Sequence, residues 1–197
     1  MKLNKFEFRL LTGRLRCWVQ EYFDNRQWRK LEALACADGH ALDIGCGQGY
    51  GLQLAIKRFG LSSIDGIDID ERMLDLSAAK TKALTQVTLR QESATNISAT
   101  DNSYDIAFDY QVLHHITDWR AAVNEIHRVL KPGAQLLIAE SLSGFINDSF
   151  WGKLMQHPRE DRFDAGGLQD ALSEAGFLLS EPRTIGTYFV WLVATKA

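Results

Sequence analysis

The sequence is poor in the residues that staple or break a chain. Its three cysteines, Cys17, Cys36 and Cys46, are odd in number and lack metal-ligand spacing. That pattern argues against a disulfide framework or a structural zinc site and predicts reduced thiols in a cytosolic protein. Three prolines leave no Pro-rich linker, and no repeat or low-complexity tract interrupts the 197 residues. No apolar run approaches the roughly 20 residues that span a bilayer. The opening Met1-Lys2-Leu3-Asn4-Lys5-Phe6-Glu7 alternates charge with apolar residues, unlike a secretory leader. What is present, 46% hydrophobic and 24% charged residues, predicts one soluble domain with a sizeable core.

The net charge of -3 conceals a division. Residues 1–30 hold eight Lys/Arg and three Asp/Glu, leaving 14 of the 22 basic and 22 of the 25 acidic residues to the remainder. A basic, aromatic-rich arm therefore precedes an acidic body. Apolar residues at Phe6, Leu10, Leu11, Leu15, Trp18, Val19 and Tyr22 follow helical spacing, with Gly13 as a break. A second helix is expected over about 26–37. We read residues 1–38 as a helical lid and 39–197 as the body of the domain. The plainer alternative for the arm is a solvated helical face packed on that body.

From residue 41 short apolar runs alternate with helical segments. Strands are expected over 41–44, 64–68, 87–89, 104–108 and 134–139, with helices over 50–59, 71–84 and 119–130 between them. Lys131-Pro132-Gly133 stops the last of these helices. Residues 144–162 read as irregular and aromatic, 168–175 as a helix, and 177–179 and 188–195 as two closing strands. This alternation predicts a doubly wound α/β fold with a mostly parallel seven-stranded sheet and helices on both faces. In such a sheet ligands bind beyond the carboxyl ends of the strands.

The most informative stretch is Asp43-Ile44-Gly45-Cys46-Gly47-Gln48-Gly49. Alternate glycines let the backbone turn sharply after a strand and approach a ligand without a Cβ in the way. The following helix directs its unpaired N–H groups at the same place. A dinucleotide fingerprint needs a further glycine at position 50, which is Tyr50, and no Gly-Lys-Ser/Thr makes a phosphate loop. Asp68 ends the next strand, and Asp70 stands where it would cap the following helix.

This stretch resembles the first motif of the class I S-adenosylmethionine-dependent methyltransferases. The resemblance continues in order through Gly66-Ile67-Asp68-Ile69-Asp70, Ser103-Tyr104-Asp105-Ile106-Ala107, Leu113-His114-His115 with Asp118, and Arg128-Val129-Leu130-Lys131-Pro132-Gly133, as in the family's type-11 branch. It covers roughly half the chain, from residue 41 to about 140. It implies a Rossmann-like fold and S-adenosylmethionine as cofactor. Gly45, Gly47 and Gly49 would line the methionine portion, Asp43 would contact its ammonium, and Asp68 would bind both ribose hydroxyls. Ile69, Ser93, Ala94 and Asp109 complete the implied cofactor set. One position departs from the pattern: Ser93 stands where the family usually has an acid for the adenine amino group. Glu92 supplies that acid if the loop is shifted by one.

The resemblance implies no catalytic residue. Tyr110, His114 and His115 are candidates because they lie where the fourth strand ends, and Glu140 ends the fifth. The alternative puts one histidine in the core and the other at a helix cap. His157 falls in the aromatic segment. The DNA-base tetrapeptide of Asn or Asp before Pro-Pro-aromatic is absent, since Phe108-Asp109-Tyr110-Gln111 occupies its place. The acceptor is thus not expected to be DNA. The aromatic arm (Phe6, Phe8, Trp18, Tyr22, Phe23, Trp28), with the aromatic residues Phe145, Phe150, Trp151 and Phe163 after the fifth strand, makes a small apolar or lipid-like molecule the expected one. Two further readings stay open: a non-catalytic S-adenosylmethionine-binding protein, and a methyltransferase acting on RNA or protein. The basic arm adds an expected peripheral membrane contact. No metal constellation and no oligomeric state can be read.

Overall fold

The computed structural model describes residue 13 and residues 17–31, 38–149 and 160–197. The sheet contains β1 (His40–Ile44), β2 (Ser63–Asp68), β3 (Val87–Gln91), β4 (Tyr104–Tyr110), β5 (Leu130–Ser141), β6 (Phe177–Leu179), β7 (Arg183–Ile185) and β8 (Phe189–Lys196). Their order is β3-β2-β1-β4-β5-β8-β6, and β7 pairs with β8. Strands β1 to β5 run parallel, whereas β8 is antiparallel to β5, β6 and β7. The order reverses between β1 and β4, whose register sets Ile44 beside Asp109. The expected doubly wound sheet is therefore present with one strand more than seven.

Both faces of the central strands are buried, as a parallel sheet requires. One face packs Leu42, Ile44, Ile67 and Ile138 under α4 (Trp119–Val129) and α6 (Ala165–Glu174). The other packs Ala41, Ile64, Phe108 and Leu137 under α2 (Tyr50–Phe59) and Trp28 of α1 (Asn25–Lys30). Helix α3 (Glu71–Thr81) is capped by Asp70, whose carboxylate accepts the Arg72 N–H at 3.1 Å. Asp118 caps α4 in the same way through Ala121 N. Each cap satisfies a donor that the first helical turn leaves unpaired.

A helical stretch of wide π pitch, Val19–Asp24, runs into α1. Trp28 Nε1 donates to the Ile138 carbonyl at 2.8 Å, and Trp191 Nε1 donates to Asp24 at 2.9 Å. These two buried bonds fasten the amino-terminal helix to β5 and β8. The rest of the expected lid, including Phe6, Leu10 and residues 32–37, lies outside the described residues. So do Phe150, Trp151 and His157.

Two expectations are corrected. Residues 144–162 do not begin as an irregular segment, because α5 occupies Ser143–Asp148. Lys131-Pro132-Gly133, expected to stop α4, lies inside β5 instead: the helix ends at Val129 and the chain enters β5 at once at Leu130, with a register shift opposite Tyr104 and Ile106. That irregularity lets a strand tolerate a proline that cannot donate to the ladder. Among the described residues, no helix is long and apolar enough to cross a membrane.

Candidate functional site

The site is built on the turn that leaves β1. Gly45, Gly47 and Gly49 all take left-handed backbone conformations, with φ of 60°, 52° and 79°. The turn is tied sideways to β2, where Cys46 N donates to the Ile67 carbonyl at 2.9 Å. It is also tied to Asp68, whose Oδ2 accepts Gly47 N at 3.0 Å while Oδ1 accepts Asp70 N at 2.9 Å. Asp68 thus stands at the rim of the turn with further lone pairs on both oxygens. Burial pushes its carboxyl above the ordinary range, partly offset by those two N–H groups. Cys46 is buried, and burial beside Asp43 and Asp68 pushes its thiol up. A thiol held protonated is a packing residue and a poor nucleophile.

A cavity of about 460 Å³ opens over this turn. Of the residues singled out in the sequence, Gly45, Gly47, Asp68, Ile69, Ser93, Ala94, Tyr110 and His115 line it. Asp43, Gly49, Asp109 and His114 stand behind its wall. Asp43 is buried against the start of α2, where a Cβ on Gly51 would lie 3.1 Å from Oδ2. Asp109 corrects its expected place among the cofactor-lining residues. Strand side chains alternate between faces, so with Phe108 and Tyr110 turned toward α1 and α2, Asp109 faces the other way and is fully buried.

The wall after β3 departs from an adenine-binding acid in a defined way. Ser93 Oγ bonds to Thr95 Oγ1 at 2.8 Å and accepts Thr95 N at 3.2 Å. The Glu92 carboxylate accepts Ser98 N at 3.1 Å and faces Arg90 at 3.3 Å. Both residues line the cavity, and each also braces its own loop. Met73, Ile69 and Ala94 add apolar surface beside them, suited to a flat aromatic ring.

The opposite wall follows β4. Gln111 is left-handed at φ 67°, its N–H donates to the Ala139 carbonyl, and Val112 N donates to Asp109 Oδ1 at 3.0 Å. His114 is buried in the core, as one alternative expected, and its Nδ1 lies 2.5 Å from Glu140 Oε2. His115 packs against it with ring centroids 4.1 Å apart and planes tilted by 38°, and faces the cavity. Arg162 donates to the His114 and Ile116 carbonyls at 2.7 and 3.2 Å, clamping the segment that carries both histidines. Glu140 is fully buried, and burial pushes its carboxyl up to about 7. Burial and the neighbouring Glu140 push Asp109 up strongly as well.

Sequence reasoning missed several lining residues, chiefly Gln20, Met73, Gln111 and Val112. Gln111 and Val112 follow a strand end and were open to discovery on that ground. Gln20 arrives from the amino-terminal helix, held over the turn by Tyr50 Oη donating to Glu21 at 2.6 Å and by a Gln48–Cys17 contact at 3.5 Å. Among the described residues, no cluster of three His, Cys, Asp or Glu could hold a metal ion.

The donor set suits a nucleoside with an adjacent amino-acid chain: a glycine floor, one carboxylate at its rim and an apolar slot. The comparisons agree. Residues 42–138 match the family model of a methyltransferase domain. A demethylmenaquinone methyltransferase of Staphylococcus epidermidis is 31% identical over 127 residues, 62% of this chain and 53% of that protein. One from Lactiplantibacillus plantarum is 32% identical over 124 residues, 59% and 52% of the two chains. The chain thus spans about half the length of the curated relatives it matches. A SAM-dependent methyltransferase from Aquifex aeolicus shares the fold over 100% of both chains, with a TM-score of 0.78 at 20% identity. The match over residues 42–138 places this chain among the class I S-adenosylmethionine-dependent methyltransferases, and its sheet has their fold.

Proposed function

We propose that the protein methylates a small apolar acceptor of the quinone-precursor kind. The observation that carries this reading is the cavity itself, with Asp68 and the glycine turn on one side and Tyr110, Gln111 and His115 on the other. The names of the curated relatives support the acceptor class. When bound, S-adenosylmethionine supplies a methyl group on a cationic sulfur that leaves readily.

The chain's own part is mainly to hold and align. Asp68 would accept hydrogen bonds from the ribose hydroxyls, Gly45 and Gly47 would let the backbone approach the amino-acid portion, and Met73 and Ala94 would flank the base. Alignment of this kind contributes on the order of 7–11 kcal/mol, whereas a general base typically adds about 10²–10⁴-fold. The bound cofactor would supply the methyl group, its sulfur taking the electron pair of the carbon–sulfur bond as the acceptor atom bonds the methyl carbon, and the acceptor would give up a proton. His115 is the cavity-facing group that takes that proton from a hydroxyl or phenol.

Calorimetric titration with S-adenosylmethionine and with its demethylated product tests the reading. Both should bind in the micromolar range, and Asp68→Ala should weaken binding at least about tenfold, since hydrogen bonds to a charged group contribute roughly 1.5–3 kcal/mol each. Absence of binding by the wild-type chain overturns it.

A peripheral membrane contact is part of the same proposal. Trp18 and Tyr22 are 55% and 58% exposed, one helical turn apart, with ring centroids 5.8 Å from each other. The exposed Arg26 follows one turn later. Aromatic and basic side chains on one helix suit an anionic interface. Co-sedimentation with anionic vesicles should drop in a Trp18→Ala/Tyr22→Ala variant; equal sedimentation by both proteins removes the membrane from the proposal.

A further inference from the structure

Behind the acceptor side of the cavity lies a buried polar cluster that the proposed reaction does not use. Asp109 and Glu140 end adjacent parallel strands on the same face of the sheet, and both are completely buried. Each has one oxygen engaged by ordinary donors. Asp109 Oδ1 accepts Val112 N at 3.0 Å, and Glu140 Oε2 accepts Ser141 N at 2.9 Å and meets His114 Nδ1. The second oxygens, Asp109 Oδ2 and Glu140 Oε1, are reached by no N–H or hydroxyl donor among the described residues. Two buried anions left this way are far too costly, and a buried acceptor without a donor calls for an explanation. A proton on one carboxyl supplies the donor for the other.

We propose that Asp109 and Glu140 share one proton and that this pair positions the acceptor wall, holding Gln111, Val112 and His115 against the cavity. Burial favours the protonated form of both groups, and the neighbouring Glu140 pushes Asp109 up further, whereas the bond from Asp109 holds Glu140 down. Glu140 is the first to ionise, because it takes the bond from Asp109 and the Ser141 N–H in addition to the Val112 and Leu113 N–H groups that favour both carboxylates. The charged and titratable neighbours are few. His114 meets Glu140 directly, His115 packs against His114, and the Arg162 guanidinium feels both Glu140 and Asp161. The facing residues of β1 and β8, Ile44, Val190 and Leu192, are apolar.

The link to the wall is direct. Asp109 fastens Val112, and the residue before it, Gln111, sits in a left-handed conformation that an L side chain adopts only when its surroundings impose it. Glu140 fastens His114, on whose ring His115 rests. Loss of the shared proton would place two negative charges side by side in the core and push this turn out of place. Asp109 and Glu140 are therefore positioning residues and not catalytic ones.

Infrared spectroscopy of the full chain at neutral pH tests the proton, because exposed carboxyls are ionised there. The wild-type protein should show a carboxylic-acid C=O band, and both Asp109→Asn and Glu140→Gln should lose it, since each amide donates permanently to the remaining carboxylate. Positioning is tested by the affinity for the demethylated product against pH. Wild-type affinity should fall on the alkaline side of neutrality by up to about tenfold per pH unit. The Asp109→Asn profile should be flat, the amide standing in for the acid, and Glu140→Gln gives the same comparison if Asp109→Asn fails to fold. A missing wild-type band, a band that survives both substitutions, or equal alkaline behaviour in wild type and variant overturns the proposal. The second readout rests on the cofactor reading, whereas the band does not. A wild-type chain that binds no product at any pH therefore refutes that reading alone, and the band still decides the pair.

Discussion

Gly45 and Gly47 look equivalent in the sequence, and the structure makes them unequal. An alanine at either position must adopt a left-handed backbone, at a cost of about 1–2 kcal/mol. At Gly47 nothing else stands in the way, since the nearest atom to an added Cβ is the Gly45 carbonyl at 3.9 Å. At Gly45 the new Cβ would lie 2.6 Å from both Val112 methyl carbons. Val112 cannot retreat freely, because its backbone is fastened to Asp109. Forcing a methyl group into such a space typically costs about 1–3 kcal/mol more. Gly45→Ala should therefore destabilise by about 2–5 kcal/mol and Gly47→Ala by about 1–2 kcal/mol. The assay is urea unfolding at constant slope, read as a shift of the midpoint. Trimming the obstacle sharpens the test: in a double-mutant cycle, Gly45→Ala with Val112→Ala should be more stable than the sum of the singles by about 1–3 kcal/mol. Equal midpoint shifts for the two glycines, together with an additive cycle, would refute the account of the turn as packed against Val112.

Three further outcomes are expected. Trp28→Phe strands the Ile138 carbonyl and should lower stability by about 1–3 kcal/mol, seen as a thermal midpoint a few degrees lower. Tyr104→Phe removes a hydroxyl that donates to Asp65 at 2.7 Å and accepts from Arg90 at 2.6 Å. A loss of similar size is expected there by the same measurement, and an unchanged midpoint would show the network to be idle. The third outcome concerns pH. Glu140 is pushed up to about 7 in the folded chain, so the folded state holds its proton more tightly than the unfolded one. Its contribution is fully present below the ordinary carboxylate range and is lost as pH rises to about 7. Glu140→Gln should flatten that part of the stability profile, and a slope unchanged in the variant would contradict the assignment.

Strong local signals were legible in the sequence. Helix α2 occupies Tyr50–Phe59 as its spacing predicts, because a left-handed glycine stands at each end and apolar positions mark one face. Asp70 caps α3, as its place immediately before Glu71 suggested, and Asp68 lines the cavity. Strand β7 was invisible for the opposite reason. Arg183, Thr184 and Ile185 are all exposed, so no alternation of apolar and polar residues betrays them. Asp109 was misplaced although the pleat could have corrected it, since Phe108 and Tyr110 fix the parity of β4. Gln20 was beyond reach, because its place over the cavity depends on Trp28 and Asp24 docking to distant strands. The pairing of Asp109 with Glu140 is likewise a product of register, joining positions 31 residues apart that carry no common signal.

The place of β8 has a consequence for how this chain reaches its native state. It follows the other seven strands in sequence, yet it lies inside the sheet, between β5 and β6 and beside β7. Until Phe189–Lys196 is delivered, one side of β5 is an open ladder of unpaired amides, the kind of edge that recruits foreign strands. Trp191, which anchors Asp24 of the amino-terminal helix, is also missing until then. Helix and sheet over the cavity are therefore completed together and late, by contacts spanning 167 residues. A nascent chain emerging in order would leave the amino-terminal helix undocked for most of its synthesis and the β5 edge open from Ser141 until Phe189–Lys196 arrives, and long-range closure of this sort is slow. Folding of this protein is thus a race between insertion of β8 and capture of β5 by another chain.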